Sequence, residues 1–188
     1  RLWHSWAMDK NNFRPAQAAR VLAALQARYP QPHTHLHADT AWQLLVATVL
    51  AAQCTDARVN LVTPHLFRRW PGPADLAEAS QEDLEEVIRS TGFFRSKAKN
   101  LLGAARRVRV VYGGTVPASL AELVTLPGVA RKTANVVLFG AYGINEGLAV
   151  DTHVKRISFR LGLTDALDPV AVERDLMEVF PKDEWGDV

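Results

Sequence analysis

The chain has 188 residues, 48% of them apolar, and a formal net charge of +2. That length suits one domain or two small ones, and the apolar share excludes a disordered chain. Its single cysteine, Cys54, excludes a disulfide framework and any zinc or iron–sulfur site built from several thiolates within these residues.

In chain order, RLWHSWAMDKNN lacks the basic start and apolar stretch of a secretory signal, and its first residue, Arg, is expected of a piece of a longer chain. No apolar run reaches the ~18 residues that span a bilayer. Apolar spacing is helical nearly throughout and predicts an all-α class of roughly ten short helices. A first amphipathic helix is expected over Pro15–Tyr29. His33, His35 and His37 alternate in the loop that follows; metal ligation is conceivable there, and plain loop residues are the simpler reading. Asp39 or Thr40 can cap AWQLLVATVLAA, which is apolar all round and so belongs in the centre, with Trp42 in the core. Thr55 and Asp56 open a helix that Pro64 should kink or divide.

Ser80 and Asp83 form a capping-box pattern for a helix ending near Gly92. A long basic helix is expected from Ser96 to Gly113-Gly114. Residues 75–86 carry acidic side chains and no basic ones, whereas Arg89, Arg95, Lys97, Lys99, Arg106, Arg107 and Arg109 follow with no acidic one before Glu122. A basic block set off in this way suits a polyanion-binding face, and an ordinary solvated helix surface would read the same. Ser119 starts a short helix ending at Leu126-Pro127-Gly128, and the next is expected over Ala130–Tyr142. Further helices follow over Thr152–Leu161 and from Asp168-Pro169 to just before Pro181.

Within this frame LPGVARKTANVVL, residues 126–138, breaks a rule. The first turn of a helix favours acidic side chains because its backbone N–H groups carry partial positive charge. Here Arg131 and Lys132 occupy that turn. A helix, a glycine turn and a second helix also expose backbone N–H groups suited to an anion. On these residues alone the pattern is equally a connection in any helical bundle.

LPGVARKTANVVL together with VDTHVKR, which sets Asp151 nineteen residues after Lys132, resembles the helix-hairpin-helix DNA glycosylases. AAQCTD at 51–56 is similar to the family's SAQATD-type loop, and TGFFRSKAKN at 91–100 to its IGLYNSKA-type loop. The resemblance implies a fold of two helical domains with the active-site cleft between them. Residues 34–145 would form a six-helix domain ending in the hairpin, and 1–33 with 146–188 the second.

It also implies a base excision repair enzyme with AP-lyase activity on oxidised pyrimidines in damaged double-stranded DNA. Such an enzyme would act as a monomer with no membrane partner, cytoplasmic and nucleoid-associated if bacterial. Lys132 would attack the sugar C1′, displace the base and form a Schiff base that permits β-elimination. The basic first turn would then have a use: Lys132 would be the nucleophile at the helix start, with Arg131 as its cationic neighbour.

Asp151 would stabilise positive charge developing on the sugar, although an Asp before Thr-His is equally an N-cap. Because the nucleotide must leave the stack, Gln53 would fill the gap and Phe93 would wedge the opposite strand. Phe93 could instead be a core aromatic, with Phe94 competing for the wedge. Leu126, Gly128 and Ala130 would hold phosphates through their N–H groups, and Arg131 would lie beside the DNA. Ala130 replaces the family's usual glycine, at a cost of ~1 kcal/mol if φ is positive there; at negative φ the exchange merely adds a methyl near the phosphate. His153 would orient the Asp151 region, and Lys155, Arg156 and Arg160 would face phosphate or solvent.

The family commonly carries a [4Fe-4S] cluster on four C-terminal cysteines. Here it is expected only if a cysteine-bearing segment follows Val188, and no metal site is expected otherwise. With part of its partner missing, the terminal domain is expected to be incomplete or loosened. Three rivals remain: a monofunctional glycosylase, disfavoured by Lys132; a catalytically weak duplex-binding homologue; and a helical protein-interaction module.

Overall fold

The computed structural model describes residues 10–30 and 34–186. Its described residues are helical, with no strand among them: α1 (Lys10–Arg28), α2 (Ala41–Ala51), α3 (Asp56–Arg69), α4 (Pro73–Ala77), α5 (Gln81–Ile88), α6 (Phe94–Val111), α7 (Leu120–Leu123), α8 (Arg131–Tyr142), α9 (Thr152–Arg160) and α10 (Pro169–Val179). Two 3-10 turns, Arg89–Thr91 and Lys182–Glu184, complete them.

Most starts follow local chemistry. The hydroxyls of Thr40, Thr55, Ser80 and Ser119 accept from the backbone N–H three residues on, which satisfies a donor that the helix itself cannot. Asp168 does the same for Val170 and Ala171 ahead of Pro169.

Three expectations are corrected. Pro64 does not divide α3, because Val59, Val62, Thr63 and Leu66 are buried on either side of it and hold the helix through the missing N–H. The basic helix starts at Phe94 rather than Ser96, on a cap, Phe93, in left-handed conformation. The helix after Ser119 ends at Leu123, and turns carry the chain to Gly128.

The chain divides into two compact units, Arg1–Pro32 with Gly147–Val188, and His33–Glu146. In the second, α2 runs through the core with Leu45, Val46, Ala47 and Leu50 almost wholly buried. A Cβ on Gly140 would lie 2.8 Å from Leu44 Cδ2, so α8 and α2 meet at this glycine. Arg106 reaches the Ala77 carbonyl and Arg109 pairs with Glu78, tying α6 to the α4 end. Trp42 is in this core, as expected.

The other unit closes on Ala18, Leu148, Val150, Leu163, Val172, Leu176 and Phe180. Gln26 donates to Glu184 and Arg14 pairs with Asp165 across its surface. His33 lies outside the described residues; Asn60 brackets its neighbours, accepting from the His37 N–H and donating to the His35 carbonyl.

Candidate functional site

The hairpin between α7 and α8 is built against α6. Leu126 is its anchor: the side chain is buried and the N–H donates to the Leu123 carbonyl at 3.0 Å. This corrects its expected part as a phosphate donor, since that N–H already has a partner inside the turn. Gly128 has φ +80°, and a Cβ there would lie 2.8 Å from Asn100 Cβ and 3.0 Å from Asn100 Nδ2. Both conformation and space therefore require glycine. Ala130 is the cap of α8 at φ −86° and ψ 170°, ordinary extended backbone, so alanine carries no strain. Gly128 and Ala130 are exposed at the turn, in position to offer N–H groups to an anion.

Arg131 and Lys132 are the first two residues of α8, and both are exposed. The first turn of this helix holds no acidic residue. Asp151, in the other unit, is the N-cap of α9; its Oδ1 accepts from the N–H groups of His153 at 2.8 Å and Val154 at 2.9 Å. Its capping role is thus real, and both bonds fall on one oxygen. His153 serves Asp151 through its backbone, while its ring Nδ1 lies 3.3 Å from Arg156 Nη2.

The second part of the site in His33–Glu146 lies at two loops. Gln53, after α2, has φ +53°, and Phe93, before α6, has φ +48°; among the described residues they are the non-glycine residues with positive φ. Each costs about 1–2 kcal/mol relative to ordinary backbone. Both side chains are exposed, Phe93 at 66%, and Phe94 is the ring that packs on the core. The core reading therefore belongs to Phe94, and Phe93 projects.

Sequence reasoning missed Lys97. Counted there within a surface block, it is 5% exposed, and its ammonium donates to the carbonyls of Leu50 and Thr91, both at 2.8 Å. Burial pushes it below the usual lysine value, and neighbouring Cys54 acts in the opposite sense. Its apolar neighbours in the sequence, Ala98, Leu101 and Leu102, put it on the inner face of α6, which is the signal that was available. Other members of the block also have local tasks: Arg107 donates to Thr125, while Arg106 and Arg109 hold the α4 end. The basic run is thus a set of staples as much as an open cationic face.

Among the described residues no group of three or more His, Cys, Asp or Glu could hold a metal, and no helix is long and apolar enough to cross a membrane. Cys54 is half-buried beside α2, and one cysteine does not supply the ligands of a four-thiolate cluster.

Comparison with known proteins matches residues 46–182 to the HhH-GPD superfamily of base excision DNA repair proteins. The chain is 55% identical to endonuclease III of Synechocystis sp. (strain PCC 6803) over 90% of its length and 77% of that protein. It is 45% identical to endonuclease III of Bacillus subtilis (strain 168), over 84% and 72%. A solved structure of a trapped endonuclease III–DNA covalent intermediate superposes with a TM-score of 0.87 at 42% identity, covering 92% of this chain and 81% of that one.

Proposed function

Because this chain belongs to the HhH-GPD superfamily of base excision DNA repair proteins, we propose that it removes oxidised pyrimidines from damaged duplex DNA through Lys132. It is a base excision repair DNA glycosylase and AP lyase of the endonuclease III type. The exposed position of Lys132 in the first turn of α8, directly after the Gly128 turn, carries the assignment.

Lys132 Nζ attacks the sugar C1′, and the C1′–base bond breaks with its electron pair leaving on the base. Ring opening gives a protonated Schiff base between Nζ and C1′. Loss of a C2′ proton then expels the 3′ phosphate, and water later releases the amine. Asp151 provides negative charge for the positive charge developing on the sugar and assists the proton transfers. One carboxylate can cap α9 through Oδ1 and serve this role as well. Gly128 and Ala130 hold the backbone through their N–H groups, with Arg131 adding charge, while Gln53 and Phe93 occupy the space that the extruded nucleotide leaves. The enzyme acts as a monomer wherever the chromosome is held.

The likeness to a covalently trapped endonuclease III–DNA intermediate supports the lysine route over the monofunctional alternative. Borohydride trapping on a duplex with one oxidised pyrimidine tests it. The expected result is a protein–DNA adduct that disappears in Lys132→Ala. Base release without an adduct would make the enzyme monofunctional. Salt-sensitive binding with neither would leave a duplex-binding homologue.

A further inference from the structure

Lys97 has no place in the lysine–aspartate chemistry, yet its charged side chain is buried. A lysine ammonium taken out of water must recover its hydrogen bonds, and among the described residues its partners are two backbone carbonyls. Those carbonyls are not arbitrary. Leu50 lies in the last turn of α2, where the N–H four residues on, that of Cys54, donates to Ala51 instead. Thr91 ends the 3-10 turn ahead of α6. Both are carbonyls at the C-terminal end of a helical segment, where partial charge is negative, and one cation joins them.

The residues just beyond each carbonyl give the arrangement its meaning. Gln53 comes three residues after Leu50, and Phe93 two residues after Thr91. Among the described residues these are the two left-handed non-glycine residues, both exposed. Strained backbone of this kind persists only where surrounding structure over-determines it.

We propose that Lys97 is a positioning residue, whose buried ammonium fixes the Gln53 and Phe93 loops to each other so that both side chains meet the duplex as one rigid device. The proposal rests on the insertion role of those two side chains.

The test compares single-turnover base release on a fully paired duplex carrying one oxidised pyrimidine and on the same sequence with the lesion in a pre-opened bubble. Lys97→Met should lose on the order of 10-fold to 100-fold on the paired duplex, as misplacement by about 1 Å can, and under about 3-fold on the bubble. In a Gln53→Ala/Phe93→Ala background the same change should add less than about 2-fold, because the side chains that it positions are gone. Equal losses on both substrates, or the full loss in that background, would overturn the proposal and leave the insertion roles standing. No loss in Gln53→Ala/Phe93→Ala itself on the paired duplex would remove the insertion roles, and the proposal with them. If Lys97→Met melts below the assay temperature, Lys97→Gln, which keeps a donor on a shorter stem, goes through the same comparisons.

Discussion

Asp151 carries two jobs that a pair of substitutions can separate. Its Oδ1 accepts two N–H bonds at 2.8 and 2.9 Å at the start of α9, which any side-chain carbonyl of the same length can also accept. Asp151→Asn therefore keeps the cap and gives up the interaction of the charge with the helix start, about 0.3–1 kcal/mol. Asp151→Ala loses the cap outright, about 1 kcal/mol for the capping bonds in addition to the charge. In a chain of this size each kcal/mol moves Tm by about 2–4 °C. Thermal melts should place Asp151→Asn within about 4 °C of the parent and Asp151→Ala about 3–8 °C below it. Base release should behave differently: an asparagine cannot stabilise a developing cation, so both variants should fall by about 100-fold or more in single-turnover rate. An Asp151→Asn enzyme working within a few-fold of the parent while Asp151→Ala fails would refute the electrostatic role. That pattern would make the residue a helix cap and nothing else.

The hairpin offers a contrast between neighbouring small residues. Gly128→Ala combines positive φ with a methyl 2.8 Å from Asn100 Cβ, so it should cost about 2–3 kcal/mol, seen as a Tm lower by roughly 5 °C or more, with weaker duplex binding. Asn100→Gly in the same chain should recover part of that loss; no recovery would mean that the contact is not its source. Ala130→Gly, at negative φ, should leave duplex affinity within about 3-fold and stability unchanged or a few tenths of a kcal/mol higher, glycine being the better cap. At the wedge, Phe93→Gly should raise stability by about 1 kcal/mol by relieving left-handed backbone while slowing base release on paired DNA. Phe94→Ala, taken from a ring packed on the core, should instead lose about 1–3 kcal/mol in a denaturant melt.

What the sequence could announce was whatever depends on a few neighbouring residues. Thr40, Thr55, Ser80, Ser119 and Asp168 mark their helices because a cap is a bond to a donor only two or three residues away. The α4 turn escaped, although Gly72, Pro73 and Asp75 carry a start signal: five residues are too few to show a helical period. Pro64 misled for the opposite reason, because burial on both sides of it, invisible in the sequence, outweighs one missing N–H. Lys132 and Arg131 were legible because a cationic first turn violates a local rule that needs no coordinates to apply.

Phe93 and Lys97 were harder, and for one shared reason. Phenylalanine in left-handed conformation and a lysine in the core are each unfavourable alone, so no propensity argument selects them. They become reasonable only together: the ammonium satisfies Leu50 and Thr91, and the chain beyond those carbonyls is then held in conformations it would otherwise leave. A serine at 96 is the better helix start by every local criterion, yet the helix begins at Phe94 on a strained cap. Tertiary structure has overridden the local preference here and kept an exposed aromatic at the loop tip, which folding alone gives no reason to retain. The reason has to lie in what that ring meets outside the chain.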